Sequence, residues 1–197
     1  MLLNQIGNIK AVLVLDKEGN ALIGKYYNAD GMSDSSKRAF EGRLHKASKS
    51  NSNSSYENSF FTLEHQIAFY RVYDDISVFV VGQEDDNELV ISEVLDTLHE
   101  CFDEAFTHII DRESLTNNMT AVILIIDELI DNGIIMTLEA ASILERISIK
   151  LSDSKGSKKE KVDPKDEEKP AEASGGYLSF TSVFSSAKNS LAKTLAL

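Results

Sequence analysis

The stretch QIAFYRVYDDISVFVVG, residues 66–82, sets the architecture. Two apolar, β-branched and aromatic runs, 66–73 and 76–82, are joined by Asp74-Asp75 alone, a connection short enough for a hairpin. Along both runs apolar residues occupy odd and even positions alike. A strand with one wet face alternates; one apolar at both parities is covered on both faces. The pair therefore predicts an antiparallel sheet with helices on each side. Upstream, FFTL (60–63) lies two residues away and adds a third strand. Further upstream, IKAVLVLDKEGNALIGKYY (9–27) reads as another hairpin, with DKEGN as its turn and Gly19 free to take positive φ.

The remaining periodic segments are helical. SDSSKRAFEGRLHKASK (33–49) can be capped by Ser33 or Asp34 and has few large apolar residues, which suits a helix on a surface. Between it and the next strand, SNSNSSYENS (50–59) is a low-complexity loop. In the stretch 86–111, Ile91, Val94, Leu95, Leu98, Phe102, Ala105, Phe106 and Ile109 form a 3.6-residue stripe, with Asp86 or Asn87 as cap. A second helix is expected from Asn118 to Asp131, closed by Gly133 as its C-terminal glycine, and a third from Leu138 to Lys150. The expected fold class is α+β, an α/β/α sandwich with a five-stranded antiparallel sheet. Helix 33–49 lies on one face, and helices 86–111 and 118–131 on the other.

Charge is uneven. Of 32 acidic and 20 basic residues, 25 and 12 fall in 1–151. So acidic a body repels phosphate backbones and anionic lipid, which argues against nucleic acid as a partner and favours a basic protein surface. Cys101 is the lone cysteine, so no intrachain disulfide forms, as suits a reducing cytosol. The opening MLLNQIGNIK is too short for a signal-peptide core, and no apolar run reaches membrane-spanning length. Residues 152–176 hold both prolines and almost nothing apolar, a linker by composition. Residues 177–197, YLSFTSVFSSAKNSLAKTLAL, follow as an amphipathic helix with Phe180, Val183, Phe184, Leu191 and Leu195 in its stripe and mostly hydroxyls opposite. The expected domains are thus 1–151, 152–176 and 177–197. A linker of this length reaches roughly 25–30 Å, enough for the tail to contact a membrane or a partner protein.

Catalytic constellations are not evident. There is no P-loop, GxGxxG or GxSxG motif. Cys101 lies in an acidic, apolar-periodic helix, a setting that raises rather than lowers a thiol pKa. His99 and Asp103 share a helix face and make a minimal metal pair, but His108 points half a turn away. Asp127 and Glu128 are adjacent and so face about 100° apart, unsuited to a catalytic pair. Asp127 and Asp131 share a face and call for a positive neighbour or water. The expected protein is no enzyme, with no cofactor and no metal.

The element order, together with IKAVLVLDKEGNALIGKYY, KRAFEGRLHKAS, VVGQEDDNELVISEVLDTL and IDELIDNGIIMTLEAASILERI, closely resembles the zeta-subunit family of the COPI coatomer, a branch of the longin-like small subunits of clathrin adaptors. The tail SVFSSAKNSLAKTLAL resembles that family's end. Asp127, Glu128 and Gly133 match a pattern shared with adaptor sigma subunits. Lys25, Tyr26 and Tyr27, Asn87-Glu88-Leu89 and the tail favour zeta. Thr137 and Ala140 depart from the family, which usually has an acid and often a proline there.

The resemblance implies a longin-like (SNARE-like), non-catalytic coat subunit. It implies pairing with the gamma-COP trunk in a heptameric coatomer, brought to Golgi membranes by an Arf-type GTPase for Golgi-to-ER and intra-Golgi transport. It implies a cytoplasmic protein, peripheral on Golgi membrane and coated vesicles. Two alternatives remain: a clathrin-adaptor sigma subunit, and a GTPase regulator on a longin platform, encouraged only by EDDNE (84–88). The expected partner surface is the sheet edge and helix end carrying Tyr26, Tyr27, Phe40 and Leu44, since aromatics are favoured interface anchors. That these four are ordinary core residues is an equally open reading.

Overall fold

The computed structural model describes residues 8–29, 31–51 and 57–156, with their boundary between two compact units falling after Leu144. In the first unit β1 (Ala11–Asp16) and β2 (Ala21–Tyr26) form the N-terminal hairpin, and α1 (Asp34–Asn51) follows. Next come β3 (Ser59–Leu63), β4 (Gln66–Val72) and β5 (Ile76–Gln83), then α2 (Glu88–Ala105), α3 (Arg112–Asn117) and α4 (Met119–Leu129). A two-residue-per-strand hairpin, β6 (Ile130–Asp131) and β7 (Ile134–Ile135), closes this run, and α5 (Ala140–Gly156) begins in the first unit and ends in the second.

The five long strands make one antiparallel sheet in the order β2-β1-β5-β4-β3. Strand β1 is interior to the sheet, between β2 and β5, and is buried at all six positions. Its register sets Val12 opposite Val80 and Leu13 opposite Phe79. Because side chains alternate, the sheet builds two cores. On one face Ala11, Leu13, Leu15, Tyr70, Phe79 and Val81 pack with Phe40 and Leu44 of α1. The other face carries α2, whose Ile91, Val94, Leu95, Leu98 and Phe102 are all fully buried. The expected sandwich is thus present, with its helices on the expected faces. Arg71, on the α2 face of β4, is buried but paired: it donates to Asp96 of α2 at 2.6 Å and to Asn58 at 3.0 Å. Asn58 in turn donates to Asp96 and Ser92, which ties the start of β3 to α2.

Three expected boundaries need correction. The helix foreseen over 86–111 stops at Ala105. Thr107 and His108 take φ of 56° and 66°, and His108 folds back so that its N–H donates to the Asp103 carbonyl at 2.8 Å. Ile109, the last member of the apolar stripe, is therefore exposed. Asp111 then caps the unforeseen α3 by accepting from the Ser114 amide at 2.7 Å. The helix foreseen to Asp131 ends at Leu129, and Asn132-Gly133 does not cap it. Both residues have positive φ, 48° and 85°, and they turn β6 into β7, the conformation that an Asn-Gly hairpin turn requires. Finally, α5 continues to Gly156, past the expected linker start at 152, while the rest of the linker and the 177–197 tail lie outside the described residues.

Candidate partner interface

The acidic motif resolves into a joint. Asp127, on the outer side of α4, forms an ion pair with Lys25 of β2. Tyr27 lies beside both Asp127 and Asp131; its burial, then these two carboxylates, push its phenol well above the usual range. Its hydroxyl is buried with no hydrogen-bond partner among the described residues. Gly133 accepts from the Ile9 amide at 2.9 Å. A Cβ there would stand 2.7 Å from the Ile9 carbonyl oxygen and 3.3 Å from the Tyr27 Cβ. So Asp127 and Gly133 of the pattern fasten α4 and its hairpin onto the end of the β1–β2 hairpin. Asp127 and Asp131 are exposed.

The four residues expected to meet a partner divide. Phe40 and Leu44 are core residues of the α1 face, 6% and 1% exposed, so neither offers a side chain to another protein. Their positions on α1 fall on the sheet-facing side, as the i, i+4 spacing allows. Tyr27 is buried as well. Tyr26 is half-buried: its hydroxyl donates to Glu41 at 2.8 Å, and Lys37 sits over its ring. Burial and the Glu41 hydrogen bond push its phenol upward too. The expected surface is therefore mostly interior. The tail residues Phe180, Val183, Phe184, Leu191 and Leu195 lie outside the described residues.

The polar candidates have structural partners. His99 Nδ1 meets the Tyr73 hydroxyl at 3.0 Å, and Asp103 meets His108 Nδ1 at 2.6 Å. The pair His99 and Asp103 is thereby divided between two other partners. Among the described residues no group of three or more His, Cys, Asp or Glu is placed to hold a metal ion. In EDDNE, Asn87 caps α2 by accepting from the Leu89 amide at 3.0 Å, and Asp86 accepts from the Gln83 amide at 2.8 Å. Cys101 is fully buried, and that burial, aided by Glu100 and Glu104, pushes its thiol to about 12. Among the described residues no helix is long and apolar enough to cross a membrane.

A different surface emerges after the joint. Ile134, Met136 and Leu138 are 50%, 60% and 38% exposed, while Ile135 and Thr137 between them are half-buried. The Met136 amide donates to the Leu129 carbonyl at 2.9 Å, and the Thr97 hydroxyl of α2, which donates to the Glu93 carbonyl at 2.9 Å, lies 3.4 Å from the Leu138 carbonyl. The segment is thus pinned along α4 and α2 with alternate apolar side chains outward. Beside Leu138 runs an open groove of about 590 Å³, lined also by Glu100, Asp103, Glu104, His108 and Glu139. The alternation in GIIMTLE was legible as a strand-like signal, but a helix cap at Gly133 was expected in its place.

A family model described as clathrin adaptor complex small chain matches residues 8–154. Coatomer subunit zeta-3 of Oryza sativa subsp. japonica is 33% identical over 142 residues, 72% of this chain and 79% of that protein. Coatomer subunit zeta-1 of Arabidopsis thaliana is 32% identical over 146 residues, 74% of this chain and 81% of that protein. Among solved structures, a chain of a homology model of the full-length AP-3 complex in a stretched open conformation aligns with a TM-score of 0.58 at 18% identity, covering 76% of this chain and 98% of that one; it speaks for the fold alone. Matched by the family model from residue 8 to 154, and similar at 32–33% identity to the coatomer zeta subunits above, this chain belongs to the clathrin adaptor complex small chain family.

Proposed function

We propose that this chain is a non-catalytic small subunit of a COPI-type vesicle coat, pairing with the trunk of a gamma-COP-like large chain within a heptameric coatomer. The observation that carries this reading is the similarity to coatomer zeta subunits at 26–33% identity over roughly three quarters of the chain. The exposed apolar row supports it, because a contiguous apolar feature on an otherwise acidic surface marks a protein contact. In this role the protein is cytoplasmic, peripheral on Golgi membrane through an Arf-type GTPase, and serves Golgi-to-ER and intra-Golgi transport.

The test is co-expression. With a gamma-COP trunk the chain should elute as a 1:1 complex burying on the order of 2,000 Å² or more. Capture of adaptor large chains in place of that trunk would move it to the sigma branch. A chain that ignores both overturns the proposal. We also place residues 177–197 in contact with membrane or with a coat partner. Helix gain of that peptide on small but not large neutral liposomes favours membrane; no gain on either favours protein.

A further inference from the structure

We infer that the row Ile134, Met136 and Leu138, with the acidic ridge beside it on α2, docks a basic amphipathic helix of a partner protein. This deepens the coat-subunit reading and rests on it for the partner's identity, not for the partner's chemistry. The row is held from below by the pairing of β7 with β6 and by the bond from the Met136 amide to the Leu129 carbonyl, with the Leu138 backbone seated against Thr97 of α2. Alternate residues of an extended segment repeat at about 6.7 Å, so the three side chains span about 13 Å. An apolar helix seam at i, i+4 and i+8 spans about 12 Å, which matches.

Charge completes the argument. Glu93, Glu100 and Glu104 are exposed, and they share the face of α2 that holds Thr97 under Leu138. Among the described residues none of the three is in an ion pair. Their spacing along α2, about 10.5 Å and then 6 Å, is itself a helical repeat. A helix laid alongside α2 can therefore answer each carboxylate with Lys or Arg at the same interval, as flanking charges do between paired helices. Other occupants fit worse. An anionic membrane or nucleic acid is repelled by the ridge. A second copy meeting the same face across a two-fold axis would set carboxylate against carboxylate.

The test uses the full chain and two probes. The first is a synthetic helical peptide with Leu along one seam and Lys on both flanks, with a scrambled peptide as control. Amide shifts should localise to 93–104 and 134–138, and affinity should fall as ionic strength rises. The variant E93K/E100K/E104K, confined to exposed positions, should weaken binding roughly tenfold or more, and so should M136S. F60S, which alters an exposed aromatic on β3 at the far edge of the sheet, should leave it unchanged. Binding unaffected by the charge reversal, or shifts mapping elsewhere, overturns the inference. So does a groove already occupied, whether by a second copy, seen as a dimer that M136S dissociates, or by the chain's own tail, seen as shifts at 134–138 on K188E/K193E. The second probe is the gamma-COP trunk. If the peptide binds at the row and the trunk does not pair, the docking surface stands and the coat assignment falls. If the trunk pairs equally well with the triple variant and with M136S, the surface falls and the assignment stands.

Discussion

Gly133→Ala perturbs the joint at its tightest point. The residue has φ of 85°, where an L-residue with a side chain is disfavoured by about 1–2 kcal/mol. The added Cβ meets the Ile9 carbonyl oxygen at 2.7 Å, and that oxygen is backbone, flanked by a strand buried at every position. Relief requires the hairpin to lift, which breaks the bond from the Ile9 amide to the Gly133 carbonyl, a further ~0.5–1.5 kcal/mol. The sum is about 1.5–3.5 kcal/mol. For a chain of this size that lowers Tm by roughly 3–14 °C. Urea unfolding followed by far-UV circular dichroism measures it, with Asn132→Gly as control. Asn132 has φ of 48°, a conformation glycine adopts without strain, so that variant should change stability by a few tenths of a kcal/mol at most. A loss below ~1 kcal/mol for Gly133→Ala, or equal losses for the two variants, would refute the reasoning.

Phe102→Ala, at a fully buried site stacked on Phe106, should cost about 3–5 kcal/mol in the same denaturant assay, through lost transfer energy plus a cavity. Native Cys101 should resist Ellman's reagent at neutral pH and react only on unfolding, since burial holds its thiol protonated. Burial alone would raise the pKa of Asp16, but hydrogen bonds from Asn20 and Glu18 and the charge of Arg112 outweigh it and leave it lowered from 3.8. Its contribution to stability is intact above that value and drains as pH falls through the lower folded value, so Asp16→Asn should flatten the acid limb of a stability–pH curve. His99 is held below 6.5 by burial and by Arg71, against the pull of Asp103, Asp96 and Glu100. Its stabilisation is present above 6.5 and fades as pH drops below it, and His99→Gln should remove that part of the slope.

The sheet was legible in the sequence because its signal is local and redundant. Strands with apolar residues at both parities can only be interior, and Asp74-Asp75 leaves no room for anything but a hairpin. The stripe of α2 was equally legible as far as Phe106. Ile109 misled because periodicity counts positions and does not register a chain reversal at Thr107-His108, which is stabilised by hydrogen bonds to Asp103 rather than by a glycine or proline. Asn132-Gly133 misled for a related reason. The same positive φ serves a helix end and a hairpin turn, and only the pairing of Ile130 with Ile135 distinguishes them. The expected partner residues were the least legible. Phe40 and Leu44 are aromatic and aliphatic anchors by type, yet an α1 poor in apolar residues needs both for its own attachment to the sheet. No pattern within α1 separates those two uses.

The position of β1 between β2 and β5 has a consequence for how the chain acquires its fold. The β1–β2 ladder closes over a five-residue turn, but the β1–β5 ladder joins Ala11 to Val81 and must bring together segments some seventy residues apart in the chain. Such non-local pairing slows folding, because loop-closure entropy is lost before the contact is gained. During synthesis the N-terminal hairpin emerges first with Val12, Leu13 and Val14 uncovered, and it finds no second neighbour until β5 has left the ribosome. For that interval an interior strand of the finished sheet is an open edge, a template for pairing with another nascent chain. Its safe passage depends on the speed of elongation through residue 83 or on a chaperone that shields it, and substitutions that slow β4–β5 hairpin formation should raise aggregation without altering the stability of protein that has already folded.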